Sequence, residues 1–168
     1  MKKILMNGTP MKIKGAELKI GDKAPDFTLT KVDLSPAKLQ DYKGKVVILS
    51  VVPSIDTPVC TIETRRFNKE ASELGGNIVF LTVSKDLPFA QKRWTDSFNT
   101  DKIIMLSDYR NPEFGTDYGV LIEEIYILSR AVFVIDKDGV IRHIDFLEDV
   151  GKEPDYKVII EKAKELDK

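Results

Sequence analysis

Apolar and polar positions divide this chain into short elements of two periods. Lys3 to Met6 and Met11 to Lys14 flank Asn7-Gly8-Thr9-Pro10, a pattern that predicts a small N-terminal β-hairpin. Gly21-Asp22-Lys23-Ala24-Pro25 reads as a loop into a short strand, Phe27-Thr28-Leu29. Ser35 to Tyr42 reads as a helical turn ended by Lys43-Gly44-Lys45. Val46-Val47-Ile48-Leu49-Ser50-Val51-Val52 is β-branched and apolar on both faces, as a central strand of a covered sheet is, and Pro53 stops it. A helix is predicted from Thr57-Pro58, with Thr57 as N-cap and Pro58 at the first helical position. Cys60, Thr64, Phe67, Ala71 and Leu74 share one face of it, and Gly75-Gly76 close it. Ile78 to Val83 is a second buried strand, Leu87 to Phe98 a helix with Pro88 in its first turn, and Ile103 to Leu106 a third strand. Pro112 to Tyr118 reads as a short helix. Ala131 to Ile135 and Val140 to Phe146 flank the turn Asp136-Lys137-Asp138-Gly139, and Pro154 to Leu166 is an amphipathic helix.

Helices must cover both faces of such a sheet, because its central strands are apolar on both sides. The strand-helix-strand-helix-strand passage, followed by a hairpin and a last helix, is a thioredoxin-like arrangement. The fold expected is therefore α/β: a thioredoxin-like three-layer sandwich, a central mixed sheet with helices on both faces and an N-terminal β-hairpin. No repeat, low-complexity tract or linker interrupts it, so residues 1–168 are expected to form one domain.

Composition narrows the function. Twenty-six basic against 27 acidic residues give a net charge of −1 without a long block of one sign, which excludes a basic footprint for nucleic acid. The apolar runs are too short to span a membrane, and Ile4-Leu5-Met6 after Met1-Lys2-Lys3 is too short for a signal peptide, so a cytoplasmic protein is expected. One cysteine precludes a disulfide within the chain, and one histidine, His143, leaves no zinc cluster. Phosphate-binding glycine motifs are missing, so nucleotide binding has no support in the sequence; no metal or organic cofactor is expected. A Ser-His-Asp triad would have to use His143, which reads as an exposed strand position.

The remaining chemistry is the thiol of Cys60, third in its helix when Thr57 is the cap. First-turn amide hydrogens have no partner within the helix and carry partial positive charge, which favours a thiolate. The spacing Thr57-x-x-Cys60 puts a hydroxyl beside the sulfur. A lone cysteine on an apolar helix face also packs as a small hydrophobe. The strand-to-helix junction favours a reactive thiol, since sites in open α/β sheets gather at the carboxyl ends of strands. Asp56 and Glu63 lie near the thiol in sequence and disfavour its ionised form, so a positive group from elsewhere in the chain is expected.

Pro53-Ser54-Ile55-Asp56-Thr57-Pro58-Val59-Cys60 resembles the P-x-x-x-[ST]-x-x-C motif of peroxiredoxins. The same run with Thr64-Arg65-Arg66-Phe67-Asn68 is similar to the thiol peroxidase branch. So are Ser84 to Arg93, Arg110 to Phe114, Arg130 to Asp136 and Glu153 to Tyr156. The resemblance implies a homodimeric, thiol-dependent peroxidase acting on hydrogen peroxide and organic hydroperoxides. It implies that Cys60 attacks the peroxide and becomes a sulfenic acid, that Thr57 hydrogen-bonds the peroxide and that Pro53 shields the sulfur from water. Arg130 corresponds to the family's arginine that holds the thiolate and polarises the peroxide. Phe89 and Trp94 are candidates for an apolar approach to the pocket, and core or dimer packing explains them equally well.

One position departs from that pattern. The branch usually carries a resolving cysteine after the aromatic that corresponds to Trp94, where this chain has Thr95. Threonine cannot capture a sulfenic acid, so an external thiol must reduce oxidised Cys60, and thioredoxin is the family's usual reductant. A thiol-disulfide oxidoreductase of the same fold would need a cysteine where Thr57 stands. A binding or holdase module with decayed peroxidase chemistry is the other reading. It predicts suppression of client aggregation that survives Cys60→Ser.

Overall fold

The computed structural model describes residues 2–168. In chain order these form β1 (Lys3–Met6), β2 (Thr9–Lys14), β3 (Thr28–Lys31), β4 (Pro36–Lys38), a 3-10 turn (Leu39–Tyr42), β5 (Val46–Val51), α1 (Pro58–Glu73), β6 (Ile78–Ser84), α2 (Pro88–Phe98), β7 (Ile104–Ser107), α3 (Glu113–Asp117), β8 (Leu121–Ile122), β9 (Ala131–Ile135), β10 (Ile141–Phe146) and α4 (Tyr156–Leu166). Seven strands make the main sheet in the order β10-β9-β5-β6-β7-β3-β4. β5, β6 and β7 run parallel, while β9 and β3 flank them antiparallel.

Every residue of β5 is buried, as its continuous apolar run requires. Alternation along the strands then sorts side chains into two cores. Val46, Ile48, Phe80, Val132 and Val134 meet Phe67 of α1, Trp94 of α2 and Ile159 and Ile160 of α4. Val47, Leu49, Val51, Leu81 and Phe133 meet Phe114, Tyr118 and the chain around Phe27. Helices thus cover both faces, but unequally: three long ones on the first and the short α3 with irregular chain on the second. No helix among the described residues is long and apolar enough to cross a membrane.

Several expectations shift. The first hairpin turns on Asn7 and Gly8 alone, both at positive φ (52° and 80°), and Thr9-Pro10 already belong to the second strand. That hairpin joins β8, a strand the pattern does not predict, to make a separate three-stranded sheet. Ser35 to Tyr42 is divided: Pro36–Lys38 pairs with β3, and only Leu39–Tyr42 is helical. The strand expected at Phe27 runs over Thr28–Lys31, and the one at Ile103 begins at Ile104. Leu74, in extended conformation, ends α1, so the following glycine pair is not used as a left-handed cap. Asn99, at φ 51°, serves that purpose for α2. Trp94 is 5% exposed and packs against Phe98, which makes it a core residue, whereas Phe89 at the start of α2 is 68% exposed.

Candidate active site

β5 delivers the chain to the site, and Pro53, buried, interrupts the ladder where the strand ends. The chain turns through Ser54 to Thr57 and enters α1 with Pro58 in its first turn, where a missing amide hydrogen costs the helix nothing. Cys60 follows two residues later, fully buried and unpaired with any other cysteine. Its sulfur therefore lies in the positive field at the helix N-terminus.

Arg130, which immediately precedes β9, reaches this sulfur from a distant part of the chain. It is 1% exposed, and its Nη2 donates to Cys60 Sγ at 3.1 Å. Its Nη1 meets Glu63 Oε1 at 3.3 Å and its Nε donates to the Val150 carbonyl at 2.7 Å. The planar fork thus has a partner on each of three nitrogens, a geometry that lysine cannot reproduce. The positive group expected from elsewhere in the sequence is this guanidinium.

Glu63 lies one turn beyond Cys60 on α1 and is wholly buried. Its second carboxylate oxygen accepts from Ser50 Oγ on β5 at 2.5 Å. Burial pushes its carboxyl up from 4.5 to about 7; the Arg130 charge and the Ser50 hydrogen bond pull it down, and Asp145 adds to the rise. The carboxyl and the sulfur share one cation. Asp56, the other acid close in sequence, is exposed and faces Arg93 at 3.6 Å, so it makes no contact with the thiol.

Thr57 occupies the N-cap position as expected, but its hydroxyl caps no helix amide. It donates instead to the Ser54 carbonyl at 3.0 Å, which leaves its lone pairs available to accept a hydrogen bond. Thr95, partly exposed on α2, is occupied with its own helix, donating to the Lys92 carbonyl at 3.0 Å. His143 stands on the edge strand β10 opposite Val134, half-buried rather than exposed. The structure therefore brings Arg130 to Cys60, while Pro53 and Thr57 lie on the short segment between the end of β5 and the start of α1.

Ser50, Val150 and the role of Glu63 as a buried partner of Arg130 are not apparent from the sequence. One signal was available: a glutamate on the apolar face of α1 needs a buried partner, because acids are almost never fully buried unpaired.

The Redoxin family model matches residues 19–160. A thiol peroxidase of Oceanobacillus iheyensis is 51% identical over 160 residues, covering 95% of this chain and 97% of that protein. One of Bacillus subtilis is 46% identical over 166 residues, with 99% of both chains covered. Among solved structures, a peroxiredoxin-like protein from Aquifex aeolicus superposes with a TM-score of 0.93 at 38% identity, covering 99% of this chain and 98% of the other. A thiol peroxidase from Chromobacterium violaceum has the same fold, with a TM-score of 0.87 at 20% identity, covering 98% and 96%. A buried thiol at a helix N-terminus, held by an equally buried guanidinium, is thus found in a chain whose relatives agree from end to end: it belongs to the redoxin family, in its thiol peroxidase branch.

Proposed function

We propose that this protein reduces hydrogen peroxide and organic hydroperoxides with the Cys60 thiolate as nucleophile. The observation that carries the reading is the 3.1 Å hydrogen bond from Arg130 to a sulfur that is itself wholly buried. A cation and a helix N-terminus favour the ionised sulfur, the form that attacks. The thiolate attacks the terminal oxygen of the peroxide; a sulfur–oxygen bond forms as the oxygen–oxygen bond breaks. Water or an alcohol leaves after taking up a proton, and Cys60 becomes a sulfenic acid. Fixed donors stabilise the charge that develops on the leaving oxygen without reorganising, and Arg130 is the donor assigned to that task. Thr57 accepts from the peroxide hydroxyl, and Pro53 keeps bulk water from the sulfur.

With threonine at position 95, an external thiol condenses with the sulfenic acid and releases water. A second thiol then resolves the mixed disulfide and restores Cys60. Thioredoxin is the proposed donor, and the cytoplasm, a reducing compartment, suits an enzyme whose one thiol must be returned to its reduced state. The chain is proposed to act as one domain and as a homodimer, with exposed Leu87 and Phe89 as the contact. A decayed binding module is not favoured, because Arg130 still meets the sulfur and the relatives named above are thiol peroxidases.

Stopped-flow mixing of reduced protein with hydrogen peroxide and with an alkyl hydroperoxide, read by intact mass, tests the proposal. Gain of one oxygen at Cys60 at a rate far above that of free cysteine is expected, and Cys60→Ser should show none. A rate no faster than free cysteine overturns it.

A further inference from the structure

The Ser84-x-Asp86 segment and Gln91 lie outside the groups that meet the sulfur, yet they are joined to the loop before it. Asp86, in the turn between β6 and α2, is partly buried and accepts three hydrogen bonds. Ser54 Oγ donates to its Oδ1 at 2.9 Å, while the Ile55 amide and Ser84 Oγ donate to its Oδ2 at 2.8 and 2.6 Å. Gln91 of α2, fully buried, donates to Ser84 Oγ at 3.1 Å and to the Leu106 carbonyl at 2.9 Å, which fixes the serine.

The carbonyl of Ile55 is held from α1. Thr61 Oγ1 donates to it at 3.0 Å, and Trp94 Nε1 of α2 donates to that hydroxyl at 3.2 Å. The Ile55 amide is thus held by Asp86 in the turn before α2 and its carbonyl by Thr61 of α1, which Trp94 of α2 braces, while the Ile55 side chain is wholly buried beneath. Thr57 follows two residues later, its hydroxyl tied to the Ser54 carbonyl.

We propose that Asp86 is a positioning residue for peroxide reduction, setting Ser54 and Ile55 so that Thr57 stands ready to receive the peroxide beside Cys60. This rests on the peroxidase reading above. Asp86 makes no hydrogen bond to Cys60, Arg130 or Glu63. Its loss therefore leaves the activation of the sulfur intact while loosening the groups that orient the peroxide. A misplacement of about 1 Å at a reacting group costs on the order of a hundredfold in rate.

The test compares two reactions of the same sulfur in the wild type, Asp86→Ala, Asp86→Asn and Ser54→Ala: reduction of hydrogen peroxide and alkylation by chloroacetamide. Peroxide reduction needs an oriented oxygen–oxygen bond, whereas alkylation needs only that the reagent reach the buried sulfur, so a ratio that falls through faster alkylation alone counts against the proposal. In Asp86→Ala the ratio of the peroxide rate to the alkylation rate is expected to fall by at least about tenfold. Asp86→Asn, which keeps an acceptor for the Ile55 amide, should stay within about threefold of wild type, and Ser54→Ala should fall between the two. An unchanged ratio in Asp86→Ala, whether both rates hold or fall together, overturns the proposal. Should that variant not fold, a ratio in Ser54→Ala equal to wild type does so instead. Failure of the peroxidase reading is separate, because it appears in the wild type as a peroxide rate no faster than that of free cysteine.

Discussion

Glu63 is the acid that Arg130 shares with the thiol, and its burial carries a thermodynamic consequence. The carboxyl ionises near 4.5 when exposed and near 7 in the folded protein, burial being the main cause. The folded state therefore keeps the proton to higher pH than the unfolded state does. The stabilisation is complete below about pH 4.5 and is lost as pH rises through about 7. At about 1.4 kcal/mol per unit of pKa the whole loss is roughly 3 kcal/mol, most of it between about pH 5 and pH 8. Glu63→Gln preserves the shape and an oxygen for Arg130 but has no proton to release. Glutamate and glutamine at this position are best compared in a Cys60→Ser background by urea unfolding across this range. The glutamate parent is expected to lose about 2 to 3 kcal/mol more than the Glu63→Gln variant between about pH 5 and pH 8. Against this, deleting one member of a buried ion pair strands the other, at a cost of about 3 to 5 kcal/mol. If the glutamine variant weakens relative to its parent as pH rises, the attraction of Arg130 outweighs burial and the reasoning is refuted. Parallel profiles refute it as well.

Arg130→Lys leaves a charge near the sulfur but cannot hold Cys60, Glu63 and the Val150 carbonyl together, so the peroxide rate should fall at least about tenfold in stopped flow. A lysine variant as fast as wild type would remove Arg130 from the proposed mechanism. With excess peroxide and no added thiol, Cys60 should gain two and then three oxygens by intact mass, because no second cysteine intercepts the sulfenic acid; dithiothreitol should suppress this. Gly119→Ala should lower stability by about 2 kcal/mol or more in thermal unfolding, since Gly119 lies at φ +62° and a Cβ there would collide with the Ala16 carbonyl. Gly76→Ala, with open space around its Cβ and no positive φ, should change it by less than about half a kcal/mol.

The local part of this protein is legible in its residues. An unbroken apolar run makes β5 a buried strand, and Pro53 ends it. Thr57-Pro58 starts α1, so Cys60 falls in the first turn whatever surrounds it. These features follow from backbone sterics and from side-chain periodicity, which act over a few residues. The short strands β4 and β8 escape such reading because two or three residues carry no period, and only a partner strand makes them strands. Thr57 stands at the cap position that the sequence predicts, but which oxygen its hydroxyl meets depends on the turn before it.

The company the sulfur keeps comes from packing between distant segments. Arg130 lies seventy residues beyond Cys60 and reaches it because β9 pairs with β5 in a register that sets Ala131 opposite Val51. Family resemblance marked the arginine; its fork across Cys60, Glu63 and the Val150 carbonyl depends on three chain segments converging. The same holds for Asp86, which meets Ser54 and Ile55 because β6 lies parallel to β5 and brings its end to theirs. Sequence determines where a thiol stands on its own helix. Whether a buried charge is tolerable depends on what sheet order brings within hydrogen-bonding distance, because both solvation and Coulomb energy are set by neighbours in space.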